Sequence, residues 1–136
     1  RCKDARMTRV PFPPMQRPLV AILRGLKPEE TEAVVGGLIE VGFTAIEIPL
    51  NSPDPVRSIE IAAKLAPADC LIGAGTVLTV EDVASLDAAG GRLMVSPNVE
   101  PDVISTAAAK GRLDAMLPKD PMPSISPASV PKTAAE

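Results

Sequence analysis

The sequence predicts an α/β fold in which short parallel strands alternate with amphipathic helices. Three observations carry this. Apolar runs recur at Leu19–Leu23, Thr44–Leu50, Leu71–Ala74 and Leu93–Val95, each followed by a segment with helical signals. They recur about every 25 residues, the length of one strand-helix unit. The runs are apolar at consecutive positions, so both faces of the sheet must be covered, as in a parallel sheet flanked by helices.

The elements follow in order. After Leu19–Leu23 the first helix opens at Pro28, with Glu29 and Glu30 near the positive end of its dipole. Val34/Leu38 and Val35/Ile39 are four-residue pairs that give it an apolar stripe. The strand over Thr44–Leu50 leads to a helix signalled by Ser52, Pro53 and Asp54, on which Val56, Ile59 and Ala63 share a face. Thr79 with Glu81 and Asp82 opens the third helix, and Pro101 with Asp102 the fourth. Pro67, Gly90-Gly91 and Gly111 sit where helices should stop. Nine of the 16 prolines lie in residues 1–18 and 111–136. Residues 1–18 therefore read as an N-terminal extension, with Met7 a candidate start, and residues 112–136 as a disordered, mobile tail. Residues 19–111 are the expected domain.

Two architectures fit this pattern, a doubly wound sheet and part of a (β/α)8 barrel. A full barrel at this repeat length needs about 200 residues, so four units make half of one.

Composition narrows the function. The 136 residues carry 14 basic and 17 acidic side chains, a net charge of −3, with 46% hydrophobic residues. Phe12 and Phe43 are the only aromatics, which removes the stacking platforms of single-stranded nucleic-acid readers, and the acidic balance disfavours polyanions. No nucleic acid is expected as partner. No apolar stretch approaches the roughly 20 residues of a membrane span, so no membrane association is expected either. Cys2 and Cys70 are too few for a disulfide framework, and the reducing cytoplasm is the expected location. Without histidine, the usual zinc sites and Ser-His or Cys-His nucleophile pairs cannot be assembled, so no metal is expected.

Several polar residues then stand out. Gly73-Ala74-Gly75-Thr76 follows a strand, but the third glycine of a dinucleotide fingerprint would fall at Leu78. The alternative is that these glycines let a strand end approach a ligand or neighbouring backbone. Glu47 lies inside Ala45-Ile46-Glu47-Ile48, where burial raises a carboxyl pKa towards catalytic use. Strand alternation puts Ala45, Glu47 and Pro49 on one face and Ile46, Ile48 and Leu50 on the helix-facing side. A structural carboxylate paired with an arginine is the competing reading. Arg24 closes the first strand on the face of Val20 and Ile22, while Thr76, Ser96 and Asn98 close the third and fourth. These strand ends form the edge where such folds bind ligands.

The segments AILRG (21–25), EIPLNSP (47–53), GAGTVL (73–78) and SPN (96–98), in this order and spacing, resemble the family of 2-keto-3-deoxy-6-phospho-sugar-acid (KDPG/KHG) aldolases, from about Met7 to Gly111. The phosphogalactonate branch is the nearer, since the gluconate branch typically shows Thr and Arg where this chain has Pro49 and Asn51. The resemblance implies a (β/α)8 TIM barrel of which the first four units are present. It implies a class I aldolase, a carbon-carbon lyase of carbohydrate metabolism that needs no cofactor. Its partners would be a phosphorylated 2-keto-3-deoxy sugar acid and pyruvate, and complete members are trimers. Glu47 matches the general acid/base, Arg24 and Thr76 match substrate-binding positions, and Asn51, Ser96 and Asn98 are candidate lining residues.

The family's Schiff-base lysine lies on the sixth strand, beyond the matched part, so this chain is expected to lack it. Lys27, Lys64 and Lys110 read as surface charges and Lys119 as a solvated residue of the tail. The change of composition after Gly111 is what a truncated or out-of-frame product would show. The alternative to an aldolase is a non-catalytic half barrel that pairs or aggregates through uncovered apolar strand faces.

Overall fold

The computed structural model describes residues 19–111 and the backbone of residues 113–116. In chain order it contains β1 (Ala21–Ile22), α1 (Pro28–Glu40), β2 (Ala45–Pro49), α2 (Pro55–Leu65), β3 (Leu71–Gly75), α3 (Val80–Ala88), β4 (Leu93–Ser96), α4 (Pro101–Ala109) and β5 (Leu113–Met116). Every neighbouring pair of strands is parallel, and the sheet order is β1-β2-β3-β4-β5. A doubly wound sheet reverses its order part-way so that helices cover both faces. This order never reverses, and successive right-handed crossovers put all the helices on one side. The architecture is therefore of the barrel type.

Alternation along the strands divides the apolar residues into two layers. Ile46, Ile48, Ile72, Ala74 and Met94 pack with Val35, Ile59, Val83, Leu86 and Val103 of the helices into the larger core. Ala45, Leu71, Leu93 and Val95 form a smaller cluster on the opposite, inner face. Each fully buried isoleucine of the helix side contributes roughly 1.5–3 kcal/mol by leaving water. Gly73 has a steric reason of its own, because a Cβ there would overlap the Leu93 backbone of the neighbouring strand. That close approach is the alternative reading of the glycine pair given above.

Capping follows the sequence signals closely in α3. Thr79 Oγ1 accepts from the Asp82 N–H at 3.1 Å, and Asp82 Oδ2 accepts from the Thr79 N–H at 3.0 Å. Gly90 and Gly111, with φ of +81° and +66°, supply the left-handed residues just beyond α3 and α4.

Three expectations are corrected. The helix α2 starts at Pro55 after the N-cap Asp54, which adopts φ 42°, and Ser52 lies outside it. Its buried face is Ser58, Ile59 and Ala62, while Val56 is 41% exposed. The chain beyond Gly111 continues as β5, with Leu93 opposite Leu113 and Ser96 opposite Met116. Leu113-Asp114-Ala115-Met116 has too little apolar alternation to announce a strand, so the fourth strand supplies its pairing partner. The N-terminal extension 1–18 and the tail from 117 onward, including Lys119, lie outside the described residues.

Candidate active site

The inner face of the sheet holds one acidic side chain among the described residues. Glu47 is the central residue of β2 and is only 3% exposed. Its Cα partners are Ile22 in β1 and Gly73 in β3. Burial raises its pKa from 4.5 to about 7, against the downward pull of the Arg24 charge and of a hydrogen bond from the Gly75 backbone. One carboxylate oxygen, Oε2, is buried without a hydrogen-bond partner. Such a group holds a proton and releases it within the neutral range.

Arg24 stands two residues beyond Ile22 at the carboxyl edge and is exposed. The ion pairs among the described residues are Arg57–Glu60, Lys64–Glu60 and Lys110–Asp87, and none joins Arg24 to Glu47. Arg24 thus acts on Glu47 through its field and keeps its donors available at the mouth of the half barrel. Thr76 follows β3 at half-buried depth with φ 59°. A β-branched residue in the left-handed region is strained, and such strain gathers at ligand-facing turns. The turn sends Val77 into the helix-side core, its N–H donating to the Val95 carbonyl at 3.2 Å.

The other candidates are placed differently. Ser96 shares the helix-facing side with Met94, and its Oγ donates to the Asn98 carbonyl at 3.0 Å and accepts from the Asn98 N–H at 3.3 Å. It therefore shapes the β4–α4 loop from behind the sheet, with Asn98 exposed in that loop. Asn51 is exposed in the turn after β2, and Pro49 is buried on the Glu47 face opposite Gly75.

One residue escaped sequence reasoning. Ser52, which reads as a helix cap, is buried and its Oγ accepts from the Gly25 N–H at 3.0 Å. It ties the loop after β2 to the turn that carries Arg24. The partners are 27 positions apart, so no local pattern announces the bond.

The lysines that are described are all at the surface. Lys27 precedes α1, Lys64 pairs with Glu60 at 2.9 Å, and Lys110 pairs with Asp87 at 2.9 Å, all three exposed. The described residues thus place a buried carboxyl on the inner face of the sheet and an exposed arginine at its carboxyl edge.

The family model for KDPG and KHG aldolases matches residues 15–119. The chain belongs to this family. The match extends beyond Gly111 and takes in β5. A protein of Rhizobium meliloti (strain 1021) named "Probable 2-dehydro-3-deoxy-6-phosphogalactonate aldolase" is 75% identical over 105 residues, covering 77% of this chain and 50% of the relative. The solved structure titled "Native KDPGal structure" superposes with a TM-score of 0.72 at 44% identity, covering 76% of this chain and 50% of that one. A KDPG aldolase from Legionella pneumophila, solved with pyruvate captured as a covalent carbinolamine intermediate, gives a TM-score of 0.62 at 25% identity over 74% of this chain and 48% of its own. The chain spans about half the length of the relatives it matches. No helix among the described residues is long and apolar enough to cross a membrane.

Proposed function

We propose that this chain supplies the acid/base half of a class I aldolase site acting on 2-keto-3-deoxy-6-phosphogalactonate. The observation that carries the reading is Glu47, a carboxyl buried on the inner face with its pKa raised to about 7 at the ligand-binding edge of a KDPG/KHG-family sheet. In the proposed reaction a lysine amine adds to the C2 ketone and loses water to give an iminium. The C4 hydroxyl then gives up its proton, the C3–C4 bond breaks, and its electron pair flows into the iminium to form an enamine. Glyceraldehyde 3-phosphate departs. Protonation of the enamine at C3 and hydrolysis release pyruvate and the amine. Glu47 moves the protons of these steps, because a group half-ionised near neutrality serves as acid and base in turn. Arg24 offers charge to the anionic substrate, and Thr76 offers a hydroxyl to the pyruvyl end. Asn51 and Asn98 line the approach from their loops, and Ser96 holds Asn98 in place.

The amine is the missing partner among the described residues. Lys27, Lys64 and Lys110 are exposed, and the last two are held in ion pairs with Glu60 and Asp87. The galactonate epimer is favoured over the gluconate one by Pro49 and Asn51 and by the 75% identical relative. A metabolic enzyme of this kind works in the cytoplasm, and self-association of the complete barrel is part of the proposal.

Borohydride trapping tests it. The chain alone, incubated with pyruvate and reduced, is expected to gain no stoichiometric mass. Residues 19–111 joined to the downstream half of the Rhizobium meliloti relative are expected to gain one pyruvate-derived adduct on a lysine of the graft. An adduct on Lys27, Lys64 or Lys110, or none on the joined barrel, would overturn the assignment. The second reading is a non-catalytic half barrel that associates through the β1 edge, where Ile22 and the preceding Leu19 are each 53% exposed. It predicts no adduct in either preparation.

A further inference from the structure

The second glycine of Gly73-Ala74-Gly75 lies at the end of β3, on the same inner face as Glu47 and opposite Pro49. Its φ is outside the left-handed region, so its backbone imposes no need for glycine. What demands glycine is space. A Cβ built at Gly75 would lie 2.5 Å from Glu47 Oε1 and closer still to Cδ and Oε2, inside the carboxyl group itself. Side chains of a strand lean along its direction, and Glu47, opposite Gly73, leans one residue pair forward into the place that a side chain at 75 would take.

We infer that Gly75 is a positioning residue whose missing side chain forms the slot that holds the Glu47 carboxyl in the sheet. The Gly75 backbone also favours the charged carboxylate, against the effect of burial. Among the described residues nothing else of charge shifts this carboxyl. The adjoining strands present Gly73 from β3 and Leu93 and Val95 from β4, and Arg24 at the end of β1 is the charged group whose field is felt. The two glycines therefore do different things. At Gly73 an added methyl meets the Leu93 backbone, which has no freedom to move. At Gly75 it meets the tip of a flexible side chain, which swings out of the slot towards Arg24 and water. The consequence for catalysis rests on the role proposed for Glu47, whereas the geometry and its test do not.

The test reads the carboxyl directly in the full chain. With the side-chain carboxyl carbons of glutamate labelled with 13C, Glu47 is assigned by its loss in Glu47→Gln and titrated by NMR. Gly75→Ala is expected to lower its midpoint by at least one unit from about 7, towards 4.5. A stability cycle supplies the second measurement. Glu47→Ala vacates the slot, so Gly75→Ala in that background is expected to shift the unfolding equilibrium at least tenfold less than in the parent, while Gly73→Ala shifts it equally in both. If Gly75→Ala alone fails to fold, restoration of folding by Glu47→Ala supports the inference, and failure of that rescue overturns it. An unchanged titration midpoint together with an additive cycle would likewise overturn it.

Discussion

Glu47→Gln in the joined barrel is expected to lower turnover by about a hundredfold or more, because the substitution keeps the shape and hydrogen-bonding reach of the side chain and removes its proton. The loss should fall on kcat. Arg24→Ala separates the two roles, since a residue that binds the substrate anion should mainly raise KM and leave kcat less affected. Steady-state kinetics of the two variants with 2-keto-3-deoxy-6-phosphogalactonate as substrate check both statements. Turnover unchanged by Glu47→Gln would return Glu47 to a purely structural place in the sheet.

The second large effect is on stability against pH. Glu47 has a folded-state pKa of about 7 against 4.5 for the ordinary carboxyl, so between these values the native chain binds the proton that the unfolded chain has lost. Stability from this group is therefore fully present below about pH 4.5 and is lost as pH rises through about 7, with no further change above it. The shift is worth about 3 kcal/mol, a large part of the margin of a small domain. Urea unfolding between pH 4.5 and 8 should show a decline that is absent from Glu47→Gln. The ionised form is the costly one, because Oε2 is buried without a hydrogen-bond partner.

The parts of this picture that were legible in the amino-acid sequence are those governed by local rules. Alternation along Ala45–Pro49 separated Glu47 from Ile46 and Ile48, because a strand allows each side chain only one of two faces. Thr79 and Asp82 announced α3, since the capping box closes within four residues. Long-range pairing was not legible. Ser52 bonds Gly25 across 27 positions, and in the chain it looks like any serine before a proline. β5 is held by its register with β4 and has little strand character of its own. The end of β3 lies between these cases. Two glycines after a strand suggested a close approach, but which atoms approach depends on how β2 and β4 flank it. Only packing distinguishes Gly73, beside the Leu93 backbone, from Gly75, beneath a carboxyl.

The central claim is that the inner face of this half barrel holds a carboxyl able to exchange its proton at neutral pH. Titration of the Glu47 side-chain 13C resonance in the unmodified chain measures this without any need for activity. The account predicts a single transition with a midpoint at about 7. A midpoint at the ordinary value of 4.5 would contradict it, since a carboxylate that ionises like one in water is neither desolvated nor suited to move protons in both directions.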